Sequence, residues 1–196
     1  MGEMIKMVIV LTVLSVLSGL GLAFVQGNTK DQIENNQLQF VKGPAVREIL
    51  QGASNNPIKD RFRLKEGEAE HTFFVGVVDG KPDAVVFESS GKGFGGDVNI
   101  VLGVNIDTNK LIGVGVTTHS ETPGVGSRAK TDPTFVSQFK GQPINQVFKV
   151  KADGGQVDAI SGATITSRAV SAALTSAAKV YEQLKPEIEK EAKSFK

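Results

Sequence analysis

Seven consecutive residues, 161–167, bring four hydroxyl side chains and one glycine to the predicted start of a long helix. They read Ser-Gly-Ala-Thr-Ile-Thr-Ser and follow a glycine-rich polar run at residues 152–156. Backbone N–H groups at the start of a helix lack intrahelical partners, and the helix dipole makes this end positive. Such a segment can bind a phosphate group. It can also be purely structural, because Ser and Thr commonly cap helices, and the residue types alone leave both readings open.

The helix that follows carries an apolar stripe at helical spacing. The stripe is formed by Val170, Leu174, Ala177, Tyr181 and Leu184. At about 100° per residue, Thr164 points roughly 120° away from the centre of this stripe, so its hydroxyl is predicted to avoid the core. Arg168 lies one turn further on, where it either neutralises part of a bound phosphodiester or is a solvated surface charge.

The segment 158–164 matches the pattern Asp-x-x-(Ser/Thr)-Gly-Ala-Thr at every defining position. It resembles the acceptor site of the FMN-binding domain found in the G subunit of the Rnf electron-transport complex and in the C subunit of the Na⁺-pumping NADH:quinone reductase. The resemblance implies that a separate flavin transferase, using FAD and Mg²⁺, esterifies the hydroxyl oxygen of Thr164 to the phosphate of FMN. It implies that the transferase recognises Asp158. Cofactor contacts are implied for Ser161, Gly162, Ala163, Thr166 and Ser167.

A second loop, residues 119–126, contains Glu-Thr-Pro-Gly-Val-Gly at positions 121–126. From its residue types alone it is a Pro-Gly turn with a solvated Glu121. It also resembles the Glu-Thr-Pro-Gly-(Leu/Val)-Gly loop of the same family, which implies packing near the isoalloxazine ring of FMN. The residues implied to contact the cofactor are Glu121, Thr122, Gly124 and Val125. We favour this functional reading, because two motifs in the family's order are less easily accidental than one.

The run Gly-Lys-Gly-Phe-Gly-Gly at residues 91–96 is also rich in glycine. It lacks the Gly-Lys-Ser/Thr ending of a phosphate-binding loop. It precedes a predicted strand, which is the wrong order for a dinucleotide-binding fold. We therefore interpret it as a tight connection between strands. In the resembled family, such a run marks the start of the FMN-binding domain.

The composition excludes several other classes of site. The chain has no cysteine, which removes iron–sulfur clusters, disulfides and thiolate catalysis. Its two histidines, His71 and His119, are too few and too far apart in sequence to indicate a metal site. The net charge is +1, the basic residues are scattered and tryptophan is absent, so nothing indicates nucleic-acid binding. A redox function therefore needs a cofactor without sulfur ligation, and a covalent flavin meets that condition.

Residues 7–25 contain no charge and, as a helix, span about 28 Å, close to the thickness of the hydrocarbon core of a bilayer. We predict an uncleaved transmembrane anchor over residues 1–27, with a cleaved signal peptide as the alternative. Lys6 and the terminal amine favour a cytoplasmic N-terminus. The remaining chain is then extracytoplasmic, on the periplasmic side of the inner membrane, as the resemblance also implies.

The rest of the chain predicts an α+β fold in which an antiparallel sheet is packed with helices. Two β-hairpins are predicted from β-branched and aromatic runs around turn residues: 72–78 with 84–87, and 98–106 with 111–117. Three smaller elements are also predicted. They are a juxtamembrane helix broken near Gly43-Pro44, a helix over 132–139 and a strand over 147–150.

Domain boundaries follow from these elements. Residues 28–90 are expected to form the juxtamembrane helix and the N-terminal part of the soluble domain, and residues 91–185 the FMN-binding domain. The long helix is predicted to end near Lys185, because Pro186 cannot donate a backbone hydrogen bond. Residues 186–196 are then expected to be a charged tail that is helical but frayed.

Together these features predict a membrane-anchored flavoprotein that carries electrons through covalently bound FMN and has no catalytic residues of its own. The resemblance implies an Rnf-type complex that couples electron flow between ferredoxin and NAD⁺ to ion movement, with other membrane subunits and the flavin transferase as partners. Three alternatives remain: the homologous subunit of a Na⁺-pumping quinone reductase, a non-redox tethered binding module, and a reductase acting alone. No acid–base pair supports the last, since His119 and Glu121 are only neighbours in a loop.

Overall fold

The computed structural model describes residues 2–195, apart from the side chains of residues 30, 31, 34 and 35. It divides into two compact units, Met1–Leu38 and Gln39–Lys196. The first unit is dominated by helix α1, Gly2–Asn36. Its segment Gly2–Thr29 is long and apolar enough to cross a bilayer, and it contains the predicted anchor run. The hydroxyls of Thr12 and Thr29 donate to the carbonyls of Val8 and Val25, so neither leaves an unpaired donor on this apolar surface.

The second unit is built on a five-stranded antiparallel sheet. The strands are β1 (Arg61–Glu66), β2 (Ala69–Val78), β3 (Lys81–Lys92), β4 (Asp97–Asn105) and β5 (Leu111–Thr118). Their order in the sheet is the order in the chain, so every connection is between neighbours. Both predicted hairpins are confirmed, as β2–β3 and β4–β5, and so is the α+β fold class.

Helix α5, Thr164–Ala192, packs across one face of this sheet. Side chains that alternate along the strands face it, as the period of two along a strand requires. The core between helix and sheet contains Phe73, Phe87, Ile100, Leu102, Val170, Leu174 and Tyr181. The hydroxyl of Ser89 on β3 donates to the carbonyl of Ala173 on α5, over 2.8 Å, which joins the two layers at one polar point.

The opposite face of the sheet is covered in part by helix α2, Gly43–Ile49. A π-helical stretch, Gln37–Lys42, precedes α2, and Pro44 lies in its first turn, where a missing N–H costs no intrahelical hydrogen bond. The predicted break near Gly43-Pro44 is wrong, because Lys42 is in the right-handed helical conformation and the chain only changes from π-helix to α-helix there. Two shorter helices follow β5: α3 (Arg128–Thr131) and α4 (Pro133–Ser137), of which α4 corresponds to the predicted helix over 132–139.

The prediction that the long helix ends near Lys185 is wrong. Helix α5 passes through Pro186 and continues to Ala192. Loss of a helical hydrogen bond at a proline costs about 3 kcal/mol. Burial beyond the proline offsets that cost, since Ile188 and Ala192 are 0% and 1% exposed and extend the apolar stripe. The ring of Phe195 also lies 6.1 Å from that of Phe62, so the segment after Pro186 is packed rather than frayed.

Two further expectations differ from the structure. The predicted strand over residues 147–150 is reduced to one isolated bridge, between Val150 and Val157. The backbone N–H of Phe148 donates instead to the hydroxyl of Thr175. The expected boundary between residues 90 and 91 falls inside β3, which pairs with both β2 and β4, so the residues on its two sides belong to one sheet.

The packing of α5 beyond Pro186 can be tested with two neighbouring substitutions. Ile188→Ala should lower the free energy of unfolding by about 2–5 kcal/mol, because it leaves a cavity in a closed core. Glu187→Ala removes an exposed side chain beside it and should change the free energy by less than about 0.5 kcal/mol. Urea unfolding of the detergent-solubilised chain, followed by circular dichroism, measures both. Equal effects of the two variants would show that the helix does not pack beyond the proline.

Candidate functional site

A cavity of about 340 Å³ lies beside the start of α5, within the second unit. Three segments meet around it: the β3–β4 connection, the loop between β5 and α3, and the residues that begin α5. Its lining is formed by Phe94, Glu121, Thr122, Val125, Gly126, Gly162, Ala163, Thr164, Ile165 and Thr166. This volume is within the usual range for a small-molecule site, about 300–1,000 Å³.

The wall on the α5 side is a tight turn followed directly by the helix. The N–H of Ala163 donates to the carbonyl of Ile160, over 2.9 Å, and Gly162 between them has a φ of +80°, a conformation that favours glycine. Thr164 is the first helical residue and is half-buried. The N–H of Ser167 makes the first intrahelical bond, to Ala163. Residues 164–166 therefore offer backbone N–H groups that have no helical acceptor.

Glu121 is a buried carboxylate at the base of this cavity, with 6% of the residue exposed. Its Oε2 accepts a hydrogen bond from the hydroxyl of Thr166 on α5. Its Oε1 accepts from the backbone N–H of Gly95 in the β3–β4 connection, over 2.8 Å. One side chain therefore joins all three segments that form the cavity.

The charge of this carboxylate follows from the same contacts. Burial by itself raises the pKa of Glu121, since it disfavours the charged form. The hydrogen bonds from Thr166, Gly95 and Phe94, together with the nearby His119, outweigh burial and hold the pKa below its ordinary value of 4.5. Glu121 is therefore ionised at neutral pH. The reading in which it is a solvated turn residue is wrong.

Gly126 permits this close arrangement. A Cβ at position 126 would lie 2.7 Å from Oγ1 of Thr166 and 2.8 Å from Oε2 of Glu121. Both distances are too short for real Cβ contacts. Only glycine lets the loop approach the carboxylate and its hydroxyl partner without moving one of them.

Comparison with known proteins identifies the family. Residues 93–179 match the model of the FMN-binding domain family. The chain is 35% identical over 177 residues to the G subunit of the ion-translocating oxidoreductase complex of Methanosarcina acetivorans, an alignment that covers 89% of this chain and 93% of that protein. It is 32% identical over 180 residues to the corresponding protein of Pseudomonas aeruginosa, covering 85% and 83%. The chain belongs to the G-subunit family of ion-translocating oxidoreductase complexes. The resemblance drawn from the two motifs is confirmed.

Solved structures of related proteins share the fold of this G-subunit family member. The C subunit of the Na⁺-translocating NADH-quinone reductase of Parabacteroides distasonis is similar with a TM-score of 0.60 and 26% identity, over 82% of this chain and 96% of that one. NqrC of Shewanella oneidensis is similar with a TM-score of 0.51 and 29% identity, over 70% and 72%.

The structure brings both sequence motifs of this family member to one cavity. Seven of the residues predicted to contact a cofactor line it: Glu121, Thr122, Val125, Gly162, Ala163, Thr164 and Thr166. Three others do not. Ser161 borders a different cavity. The N–H of Gly124 donates to the hydroxyl of Ser127, over 2.8 Å, on the outside of the loop.

Ser167 is the third of these residues, and its hydroxyl stabilises the turn before α5. The hydroxyl accepts from the N–H of Ile160 and donates to the carbonyl of Ala163, both over 3.0 Å. The side chain is fully buried. A turn-stabilising serine and a ligand-binding serine look alike in a sequence of hydroxyl residues, so the pattern alone could not separate them.

Phe94 is the main lining residue that the sequence did not assign to the site. It lies in the glycine-rich connection, is 73% exposed and borders the cavity. Val125 and Ile165 are also exposed and border it. Of the six large apolar side chains exposed in the described part of the second unit, three therefore surround this one cavity. The available signal was an aromatic residue flanked by glycines, which a purely structural connection does not need.

Arg168 is an exposed surface charge, as one of its two sequence readings expected, and it is paired with Asp153. Its Nε and Nη2 atoms donate to the two carboxylate oxygens of Asp153, each over 2.7 Å. This bidentate pair holds the turn at residues 151–154 against the first turns of α5. The guanidinium is therefore a surface charge that could bind a phosphate only by giving up Asp153.

The role assigned to Glu121 predicts a specific pH dependence of stability. A carboxylate with a lowered pKa in the folded state stabilises the fold above its ordinary pKa of 4.5, and this contribution is lost as the pH falls through the folded value. The difference in unfolding free energy between the wild type and Glu121→Gln should therefore be constant from about pH 5 to 7 and shrink below about pH 4.5. Thermal melts from pH 3 to 7 measure it, with exposed Glu187→Gln as the control for losing a carboxylate. A difference that grows on acidification would contradict the assignment.

Proposed function

We propose that this chain is a membrane-anchored flavoprotein subunit that carries electrons in an ion-translocating oxidoreductase complex, with FMN held in the Glu121–Thr164 cavity. The observation that carries the proposal is the convergence of two sequence motifs, about forty residues apart, on one cavity. The family membership supports the same cofactor. FMN supplies one- and two-electron redox chemistry when bound, and the protein supplies attachment, orientation and surroundings.

The chemistry of the lining residues suits FMN. The exposed apolar side chains of Phe94, Val125 and Ile165 offer a surface for a flat aromatic ring system. The unpaired N–H groups at the start of α5 are donors for a phosphate, and the helix dipole favours its negative charge. Thr164 belongs to the same first turn and presents a half-buried hydroxyl beside these donors.

We further propose that the bond to the cofactor is covalent and is made at Thr164. In the reaction, the hydroxyl oxygen of Thr164 forms a bond to the FMN-side phosphorus of FAD. The pyrophosphate bond breaks, AMP leaves, and the hydroxyl proton is released. A flavin transferase with Mg²⁺ carries out this step, and the exposed side chain of Asp158, paired with Lys151 over 2.6 Å, is the feature it recognises. A covalent ester keeps the cofactor on the protein where free FMN is dilute.

The anchor determines where the flavin operates. Helix segment Gly2–Thr29 crosses the bilayer, with Lys6 and the terminal amine on the cytoplasmic side. The second unit is then extracytoplasmic. A membrane tether holds the flavin close to its partner subunits and raises its effective concentration there. The ion pathway belongs to those subunits, because the apolar segment 7–25 contains no charged residue.

The second candidate is the homologous subunit of a Na⁺-pumping NADH:quinone reductase. The observation that favours it is the likeness in fold to the C subunit of that enzyme. Coverage of 93% of the Methanosarcina acetivorans protein, at higher identity, favours the Rnf-type complex with ferredoxin and NAD⁺ as the redox partners. The two candidates share the flavin site and differ in the complex that surrounds it.

Substitution of the acceptor residue tests the covalent attachment. After co-expression with a flavin transferase, Thr164→Ala should carry no flavin that survives a denaturing gel, because the acceptor oxygen is gone. Thr164→Ser keeps the hydroxyl and should retain the fluorescent band. The unfolding midpoint of Thr164→Ala should stay close to that of the wild type, since the residue lies at the edge of the core. An FMN-sized adduct on the Ala variant, found by mass spectrometry, would disprove the assignment.

The orientation can be tested with C-terminal reporter fusions in a bacterial host. Alkaline phosphatase needs disulfides that form outside the cytoplasm, so a fusion after Lys196 should be active if the second unit is extracytoplasmic. The same fusion to a chain lacking residues 2–29 is the cytoplasmic control and should be inactive. An inactive full-length fusion that is expressed at the same level would reverse the proposed topology.

A further inference from the structure

A second cavity, of about 380 Å³, is lined in part by the first residues of the acceptor segment 158–164. Residues Asp158 and Ser161 border this cavity, whereas Gly162 and Thr164 border the flavin cavity. The acceptor segment therefore contributes residues to both cavities. Gln138 directly follows α4 and also lines the second cavity. Its side chain contacts the acceptor segment at Asp158.

The carboxamide of Gln138 makes three hydrogen bonds, all to main-chain atoms. Its Oε1 accepts from the N–H of Asp158, over 2.7 Å. Its Nε2 donates to the carbonyl of Asp158, over 3.2 Å, and to the carbonyl of Phe135, over 2.7 Å. A primary amide has two N–H donors, and both are engaged here. The pair of bonds to Asp158 has the donor–acceptor pattern that a residue of a neighbouring antiparallel strand would provide.

This contact holds the main chain of the first residue of the acceptor segment, whereas the Asp158 carboxylate pairs with Lys151 over 2.6 Å. Among residues 2–195, the hydrogen bonds of the Asp158 backbone run to Gln138 alone. The segment is held next at Ile160, whose N–H donates to the Ser167 hydroxyl. Around these two points the side chains of Asp158, Ala159 and Ser161 are exposed. The main chain is therefore hydrogen-bonded at Asp158 and Ile160, while the neighbouring side chains remain open to solvent.

We propose that Gln138 is a positioning residue for flavin transfer, which holds the start of segment 158–164 in place for the flavin transferase. This inference rests on the proposed attachment of FMN to Thr164. If the segment is ordered only part of the time, the transferase meets a competent acceptor only in that fraction, and the apparent affinity falls by the same factor. Loss of the Gln138 contacts should therefore raise KM for the acceptor protein and leave kcat at saturation close to its wild-type value.

The test measures flavin transfer to the full-length chain in detergent, with purified transferase, FAD and Mg²⁺, from the fluorescence of the protein band. Gln138→Met keeps the length of the side chain and removes all three hydrogen bonds. Gln138→Glu keeps an acceptor for the Asp158 N–H but sets a carboxylate against two carbonyl oxygens. Both should raise KM about tenfold or more, at nearly unchanged kcat. Gln156→Ala removes an exposed glutamine two residues before Asp158 and should leave both constants unchanged.

Different outcomes would overturn the proposed role of Gln138 and the proposed attachment of FMN to Thr164. Flavin on Thr164→Ala would overturn the proposed attachment, and the role of Gln138 with it. No flavin on Thr164→Ala together with a wild-type KM for Gln138→Met would overturn the inference about Gln138 alone. A purely structural role would lower the unfolding midpoint of both Gln138 variants without raising KM for the folded protein, and this result would also overturn it. A raised KM at an unchanged unfolding midpoint supports it.

Discussion

The site depends on one buried carboxylate. A charge removed from water is costly unless hydrogen bonds replace its hydration, and Glu121 receives them from a helix and from a loop that are far apart in sequence. Because each bond is needed to offset the cost of burial, the positions of Thr166 and Gly95 are fixed relative to each other. The cavity between them is a consequence of this arrangement. Breaking either contact would leave the buried charge with fewer hydrogen bonds to replace its hydration.

The layers behind the site supply the rigidity that this constraint needs. Helix α5 rests on the sheet through closely packed aromatic side chains, among them Phe87 and Tyr181, whose rings lie 6.3 Å apart. Burial raises the pKa of Tyr181 to about 12, and its hydroxyl donates to Asn109 on the far side of the core. Packing along the whole of α5 therefore fixes the position of its first turn. Thr164 lies where this helix meets an exposed turn, and it is half-buried at the edge of the cavity.

Much of the fold could be predicted from the sequence, because local patterns and tertiary packing agree there. The hairpins β2–β3 and β4–β5 follow from β-branched runs around turn residues, and the stripe from Val170 to Leu184 predicts α5. Strand β1 was not predicted, since four of its six residues are charged and only Phe62 and Leu64 pack inward. The extension of α5 past Pro186 depends on burial of Ile188, which no local rule for proline contains.

The site, like the fold, could be predicted only in part from the sequence. The two motifs predicted most of the lining of the cavity, because residue type and order carry the chemistry of attachment. What they could not supply was the partner of each hydroxyl: Thr166 binds a carboxylate 45 residues away, whereas Ser167 stabilises the turn. The contacts of Phe94 and Gln138 depend on the folded structure and could not be read from either motif. One is exposed beside the cavity, and the other binds a backbone segment 20 residues further along.

The central claim is a bond between the Thr164 oxygen and the phosphorus of FMN. Fragmentation mass spectrometry of the wild-type protein, purified from the membranes of its native host, tests it most directly. Trypsin should release residues 152–168 as one peptide, since cleavage follows Lys151 and Arg168. This peptide should carry the mass of FMN, and its fragments should locate that mass on Thr164. An unmodified peptide from fully assembled, active complex would contradict it.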